Sequence, residues 1–128
     1  MHRSRIGVIL IDHPKDTYRE AAAFWAGVTG STRADPHGPA EDDPYESLNS
    51  LAGLHLDLQR TGTRTAPRVH LDIETDDVPA EVARVCGLGA KIMQEHQGYV
   101  VLADPGGLVF CVVPVQTEDF ASAAQTWE

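Results

Sequence analysis

The stretch PRVHLDIETDDVPAEVARVCGLGAKI, residues 67–92, changes its period halfway along. Its first part alternates. Val69, Leu71 and Ile73 fall on one side and His70, Asp72 and Glu74 on the other, the pattern of a strand with one apolar face. Beyond Thr75 the apolar residues Val78, Val82, Val85 and Cys86 recur in steps of three and four, which is the period of a helix. Asp76 or Asp77 supplies its N-cap, Pro79 falls in its first turn and Gly87 or Gly89 ends it. On this stripe Cys86 reads as a small core residue. Strands follow at AKIMQE, at YVVLADP running into a turn at DPGG, and at LVFCVVPV. The second half of the chain is therefore βαβββ.

The first half reads the same way. A strand runs from Arg5 to about Asp12. In HPKDTYREAAAFWAGVTG the residues Tyr18, Ala21, Ala22, Trp25 and Val28 share a helical stripe after Pro14, and Gly30 closes it. Phe24 widens that stripe, and the Phe24–Trp25 pair reads as core packing. Short strands are expected near Ser31 to Ala34 and near Tyr45 to Leu48. GLHLDLQR then sets Leu54, Leu56 and Leu58 against His55, Asp57 and Gln59. The two helices end alike, in VTG at 28–30 and GLGA at 87–90, and these endings lie close to half a chain apart. Such spacing points to internal duplication. The expected fold class is α+β: tandem βαβββ modules forming a curved mixed sheet, with the helices on its convex side. Module one covers 5–60, the polar linker TGTRTAP covers 61–67, module two covers 68–115 and a tail covers 116–128. The tail reads as a last helical turn or a frayed end whose exposed Phe120 and Trp127 are available to a neighbouring subunit.

Nineteen acids against ten bases give a net charge of −9 over 128 residues. That field repels phosphate backbones and argues against nucleic acid as a partner. The acids are spread along the chain, and the densest patch, AEDDPYE, reads as a surface loop. No apolar run is long enough to cross a bilayer, which argues against a membrane partner. The basic start of MHRSRIGVILIDHP precedes a short apolar run, Ile6 to Ile11, that an acid follows at once with no small-residue cleavage site. It reads as a strand, and the expected location is the cytoplasm. Cys86 and Cys111 form neither a disulfide framework nor a zinc motif.

Four fragments, AAAFWAGVTG, LQR, PRVHLDIETDDVPAEVARVCGLGAKI and VVLADPGGLVFCVV, occur in an order and spacing that resembles the vicinal oxygen chelate superfamily of glyoxalases, bleomycin-resistance proteins and extradiol dioxygenases. The resemblance is to its glyoxalase-like branch and covers nearly all of residues 5–115. It implies that the paired modules surround a cavity, that many members are dimers, and that enzymes of the group hold one divalent metal on the first and last strands of each module. Carried over position by position, it places His70 on the first strand of module two, seven residues before Asp77. Counting seven residues on from Asp104 puts Cys111 at the last-strand position. The corresponding position of module one falls on Gln59, or on Asp57 in a register shifted by two. Its first-strand position falls on Ile9 or Ile11, neither of which can bind a metal.

The polar faces of the two alternating strands nominate His55, Asp57, Gln59, His70, Asp72 and Glu74 as a cavity wall, and the resemblance adds Cys111 to it. In an ordinary half-exposed sheet the same faces are simply solvated. His70 and His55 are the acid/base candidates, since histidine titrates near neutrality, with Asp57 or Asp72 to orient them. His70, Gln59 and Cys111 are the metal-ligand candidates. Gln and Cys at positions where the resembled enzymes carry carboxylates withhold the negative charge that favours a divalent ion. Cys111, in the apolar run LVFCVV, equally reads as a small buried hydrophobe. The leading expectation is a glyoxalase/bleomycin-resistance-like protein, a homodimer, that binds a small polar or cationic organic molecule without a metal cofactor. The alternative is a lyase, isomerase or dioxygenase dependent on zinc, manganese, iron, nickel or magnesium. A third reading is an interaction module with no small ligand.

Overall fold

The computed structural model describes residues 1–33, 43–48 and 53–128. Its elements run β1 (His2–Pro14), α1 (Tyr18–Thr29), β2 (Tyr45–Ser47), β3 (His55–Thr61), β4 (Arg68–Thr75), α2 (Val78–Gly87), β5 (Lys91–Glu95), β6 (Val100–Ala103), β7 (Val109–Pro114), α3 (Phe120–Ala123) and β8 (Gln125–Trp127). The class is mixed α+β, with parallel and antiparallel strand pairs, as the sequence leads one to expect. Ser31–Arg33 form no strand, and Ala34 and the first three residues of AEDDPYE lie outside the described residues, while its Tyr45 and Glu46 belong to β2.

The chain divides into two compact units. The first joins Met1–Gly7 to His70–Glu128, and the second is Val8–Val69. Strand β1 contributes its opening residues to one and its remainder to the other.

In the second unit, β3 lies between β2, which is antiparallel to it, and the later part of β1, which is parallel. Helix α1 covers one face. Tyr18 and Ala22 of α1 bury themselves against Leu58, with Ile11, Trp25 and Leu48 around them. Gly30 ends the helix in the left-handed region at φ 70°, where its N–H reaches Ala26 O. Glu46 accepts from both Arg33, at 2.7 and 3.1 Å, and the Tyr18 hydroxyl at 3.1 Å. Burial, and then the Glu46 carboxylate, push the Tyr18 phenol above its ordinary range. Phe24 departs from expectation: it is 61% exposed and meets Trp25 edge-on, because the stripe from Tyr18 through Ala22 to Ala26 already fills the contact with the strands.

In the first unit the strand order is β4-β7-β6-β5, with β4 and β7 parallel and the others antiparallel. Helix α2 begins as its capping signals suggest: Asp77 Oδ1 accepts from Ala80 N–H at 3.0 Å. It lays Val82, Val85 and Cys86 over Ile73, Val100, Leu102 and Val112. The DPGG turn is held by Asp104 Oδ1, which accepts from Gly106 and Leu108 N–H, both at 2.8 Å.

The tail does not fray, and its two aromatic residues are buried or half-buried. Phe120 is 7% exposed, and β8 pairs with the start of β1 in the register His2↔Trp127 to Ser4↔Gln125. The Trp127 indole N–H donates to Ser4 Oγ at 2.8 Å, and its ring carries the Arg84 guanidinium at 3.8 Å. Arg3 donates to Ala121 O and Ala124 O. The expectation of exposed aromatic residues is thereby corrected: Phe120 is buried and Trp127 half-buried.

Candidate functional site

In β4 alternation does what the sequence promises, but burial is reversed. Val69, on the apolar side, is 51% exposed, whereas His70, Asp72 and Glu74 are 6%, 8% and 0% exposed. Ile73 points into the α2 cluster, so the three polar side chains occupy the opposite face. Two local arrangements account for their burial.

Around Glu74 the cause is the tail together with β1. Glu74 Oε1 accepts from Arg5 Nε at 3.0 Å and from the Thr117 hydroxyl, and Oε2 accepts from Gln116 N–H at 3.1 Å. Arg5 also bonds Thr117 at 2.6 Å and Asp119 at 2.7 Å. Asp119 first, and Glu74 with it, hold the Arg5 guanidinium more firmly charged than an ordinary arginine, against the opposing effect of burial. Gly7 leaves room for this arrangement: a Cβ there would lie 2.6 Å from Glu74 Cδ. Glu74 is thus a structural anchor of the face. Sequence reasoning missed its partners because they lie 42 to 69 residues away.

At the other end of the strand His70 Nε2 stands 3.2 Å from Asp72 Oδ1. The pairing Asp72↔Cys111 between β4 and β7 brings the Cys111 side chain to the same face, and Val101 of β6 extends it. Among the described residues, His70, Asp72 and Cys111 form a group whose nitrogen, oxygen and sulfur atoms lie within 4.8 Å of one another. Both cysteines are reduced, and they differ in setting. Cys86 packs in the α2 core as expected, whereas Cys111 is half-buried on the polar face.

The remaining candidates sit on β3 in the second unit. His55 is exposed, and Asp57 and Gln59 are half-buried. The Gln59 amide donates to the Tyr45 hydroxyl at 3.3 Å. The register Val8↔His55, Leu10↔Asp57, Asp12↔Gln59 sets these polar residues beside Val8, Leu10 and Asp12. The expectation that Ile9 or Ile11 is the matching first-strand position is overturned, because Ile11 turns toward α1. Asp12, which no sequence pattern singles out, occupies the polar face. It is fully buried and accepts from Arg68 Nε at 3.1 Å.

The donor set of the first unit can be tested against a divalent ion. Zinc takes nitrogen and carboxylate oxygen at about 2.0–2.2 Å and thiolate at about 2.3 Å, so neighbouring donors around it stand roughly 3.3–3.8 Å apart. His70 Nε2 and Asp72 Oδ1, 3.2 Å apart, and the Cys111 sulfur, within 4.8 Å of both, reach that spacing by small side-chain adjustments. One sulfur, one imidazole and one carboxylate suit zinc better than magnesium or manganese, which prefer oxygen.

The sequence matches the glyoxalase-like domain family over residues 9–113, and the chain belongs to that family. Its fold is similar to a glyoxalase/bleomycin resistance protein/dioxygenase superfamily member from Vibrio splendidus 12B01, with a TM-score of 0.54 and 14% identity, covering 90% of this chain and all of that one. A hypothetical protein from Bacillus halodurans has a TM-score of 0.60 at 9% identity, with 90% and 96% of the two chains covered. The Mn(II)-bound glyoxalase from Novosphingobium aromaticivorans has a TM-score of 0.55 at 20% identity. There 89% of this chain is covered but only 40% of the other. No curated protein matches the sequence. Among the described residues no helix is long and apolar enough to cross a membrane.

Proposed function

We propose that this chain binds a small polar or cationic organic molecule on the face of β4 and β7 that carries His70, Asp72 and Cys111, without a resident metal. The observation that supports the reading is the buried His70–Asp72 pair, turned away from the α2 core. Burying an imidazole and a carboxylate is costly unless each keeps a hydrogen-bond partner, and together they satisfy one another. A guest with an ammonium or hydroxyl group exchanges into that pair with Asp72 as acceptor, and His70 then donates or accepts according to its tautomer.

A second reading is a divalent-metal lyase, isomerase or dioxygenase, and the convergence of three ligand types at His70, Asp72 and Cys111 favours it. Those three residues would hold the ion, which would supply Lewis-acid chemistry to a bound oxygen. One pair of measurements separates the two readings. Elemental analysis of protein purified without a histidine tag is expected to give no stoichiometric metal. Thermal shift with a panel of cationic antibiotics and amines is expected to give a hit that Asp72→Asn removes. A stoichiometric metal lost on His70→Ala, with no hit in the panel, overturns the first reading in favour of the second.

A further inference from the structure

The opposite face of β4 carries a cavity that the reading above does not use. Its volume is about 400 Å³, within the range of small-molecule sites. Ile6, Ile73, Ala123 and the Trp127 indole supply its apolar wall, and Arg5 and Arg84 are the charged residues that line it. All lie in the first unit. Ile6 is 44% exposed although it sits inside a long strand, so an apolar wall stands open.

The charge of this wall is unlike that of the chain. Acids outnumber bases 19 to 10 overall, yet no acid is among the lining residues. Arg5 is tied to Glu74 and Asp119 by short bonds. Arg84 is different. Its Nε and Nη2 bond Glu81 at 2.7 and 2.6 Å, which leaves Nη1 to meet a ligand, and the guanidinium carbon stands 3.8 Å from the centre of the Trp127 ring. A planar cation fixed on an indole beside an aliphatic wall matches a flat apolar body that carries an anionic group.

We infer that this cavity is a second ligand site, for a small aromatic carboxylate. The ring packs against Ile6, Ile73 and Trp127, and the carboxylate accepts from Arg84 Nη1. The site is independent of the His70 face, so either assignment can fail without the other.

The test uses the full chain, labelled with nitrogen-15, titrated with 2-naphthoate and with neutral 2-naphthylmethanol. The expected result is a saturable shift of the Trp127 indole N–H, with naphthoate binding at least tenfold tighter than the alcohol. Ala123→Trp, at an exposed position on the rim, fills the cavity and should abolish the shift. Arg84→Gln should remove the preference for the acid. His70→Ala should leave naphthoate binding unchanged. Three outcomes each overturn the inference: no saturable shift, equal binding of acid and alcohol, or undiminished binding to a folded Ala123→Trp variant.

Discussion

Gly7→Ala tests the buried anchor around Glu74. On backbone grounds alone, replacing a strand glycine by alanine should stabilise by about 0.5–1 kcal/mol. The structure argues for the opposite sign. The new Cβ would lie 2.6 Å from Glu74 Cδ and 2.7 Å from Oε2, whereas ordinary contact begins near 3.4 Å. Glu74 must therefore retreat by about 0.8 Å, and it has nowhere to go: Arg5, Thr117 and Gln116 N–H hold both of its oxygens. Hydrogen bonds to a charged group contribute roughly 1.5–3 kcal/mol each, and disrupting a buried ion pair costs roughly 3–5 kcal/mol. Partial loss of two of the three bonds gives a net destabilisation of about 3 kcal/mol. For a domain of this size that lowers Tm by on the order of 10 °C. Urea unfolding followed by circular dichroism measures it, and the double variant Gly7→Ala/Glu74→Ala locates it. With Glu74 cut back the collision disappears, so alanine at position 7 should add little further cost. If Gly7→Ala is neutral or stabilising, or if its cost persists undiminished in the Glu74→Ala background, the account of this anchor is wrong.

Two further outcomes are expected. Asp77→Ala should cost about 1 kcal/mol through loss of the N-cap bond to Ala80, and Asp77→Asn should retain most of it, both read from chemical denaturation. Glu81 sets an acid limit. Burial opposes its charge, but bonds from Arg84, Ser4 and His2 outweigh that and hold its carboxyl below the ordinary range. A carboxyl depressed in the folded state stabilises above its unfolded pKa, and that contribution is lost as pH falls through the folded value. Stability should therefore decline below about pH 4.5, and Glu81→Gln should flatten that part of the stability–pH curve.

Local signals were legible and distant ones were not. The alternation of β4, the period of α2, its cap at Asp77 and the turn at Asp104 each depend on residues a few positions apart, and all were readable. His70 and Cys111 were named as candidates because each holds a definite place in a repeating pattern. The burial of Glu74 was not readable, since it depends on Arg5 and Thr117, which no local pattern links to it. The facing of β1 was missed for a related reason. With apolar residues on both sides of that strand, only its pairing with β3 shows that Leu10 and Asp12, and not Ile9 and Ile11, share a face with Asp57 and Gln59. Phe24 and Trp25 are adjacent on a helix, where only one of them can point to the core, and composition does not say which.

The opening residues of β1 carry a consequence for the order of folding. Arg3, Ser4 and Arg5 are synthesised more than a hundred residues before their partners Thr117, Asp119, Ala121, Ala124 and Trp127. During translation the first unit therefore stays incomplete until Trp127 has emerged, while Val8–Val69 have every residue of their own unit much earlier. A chain cut before Gln116 would leave Glu74 without its tail partners and the start of β1 without β8, and would expose a strand edge of the kind that invites association with other chains.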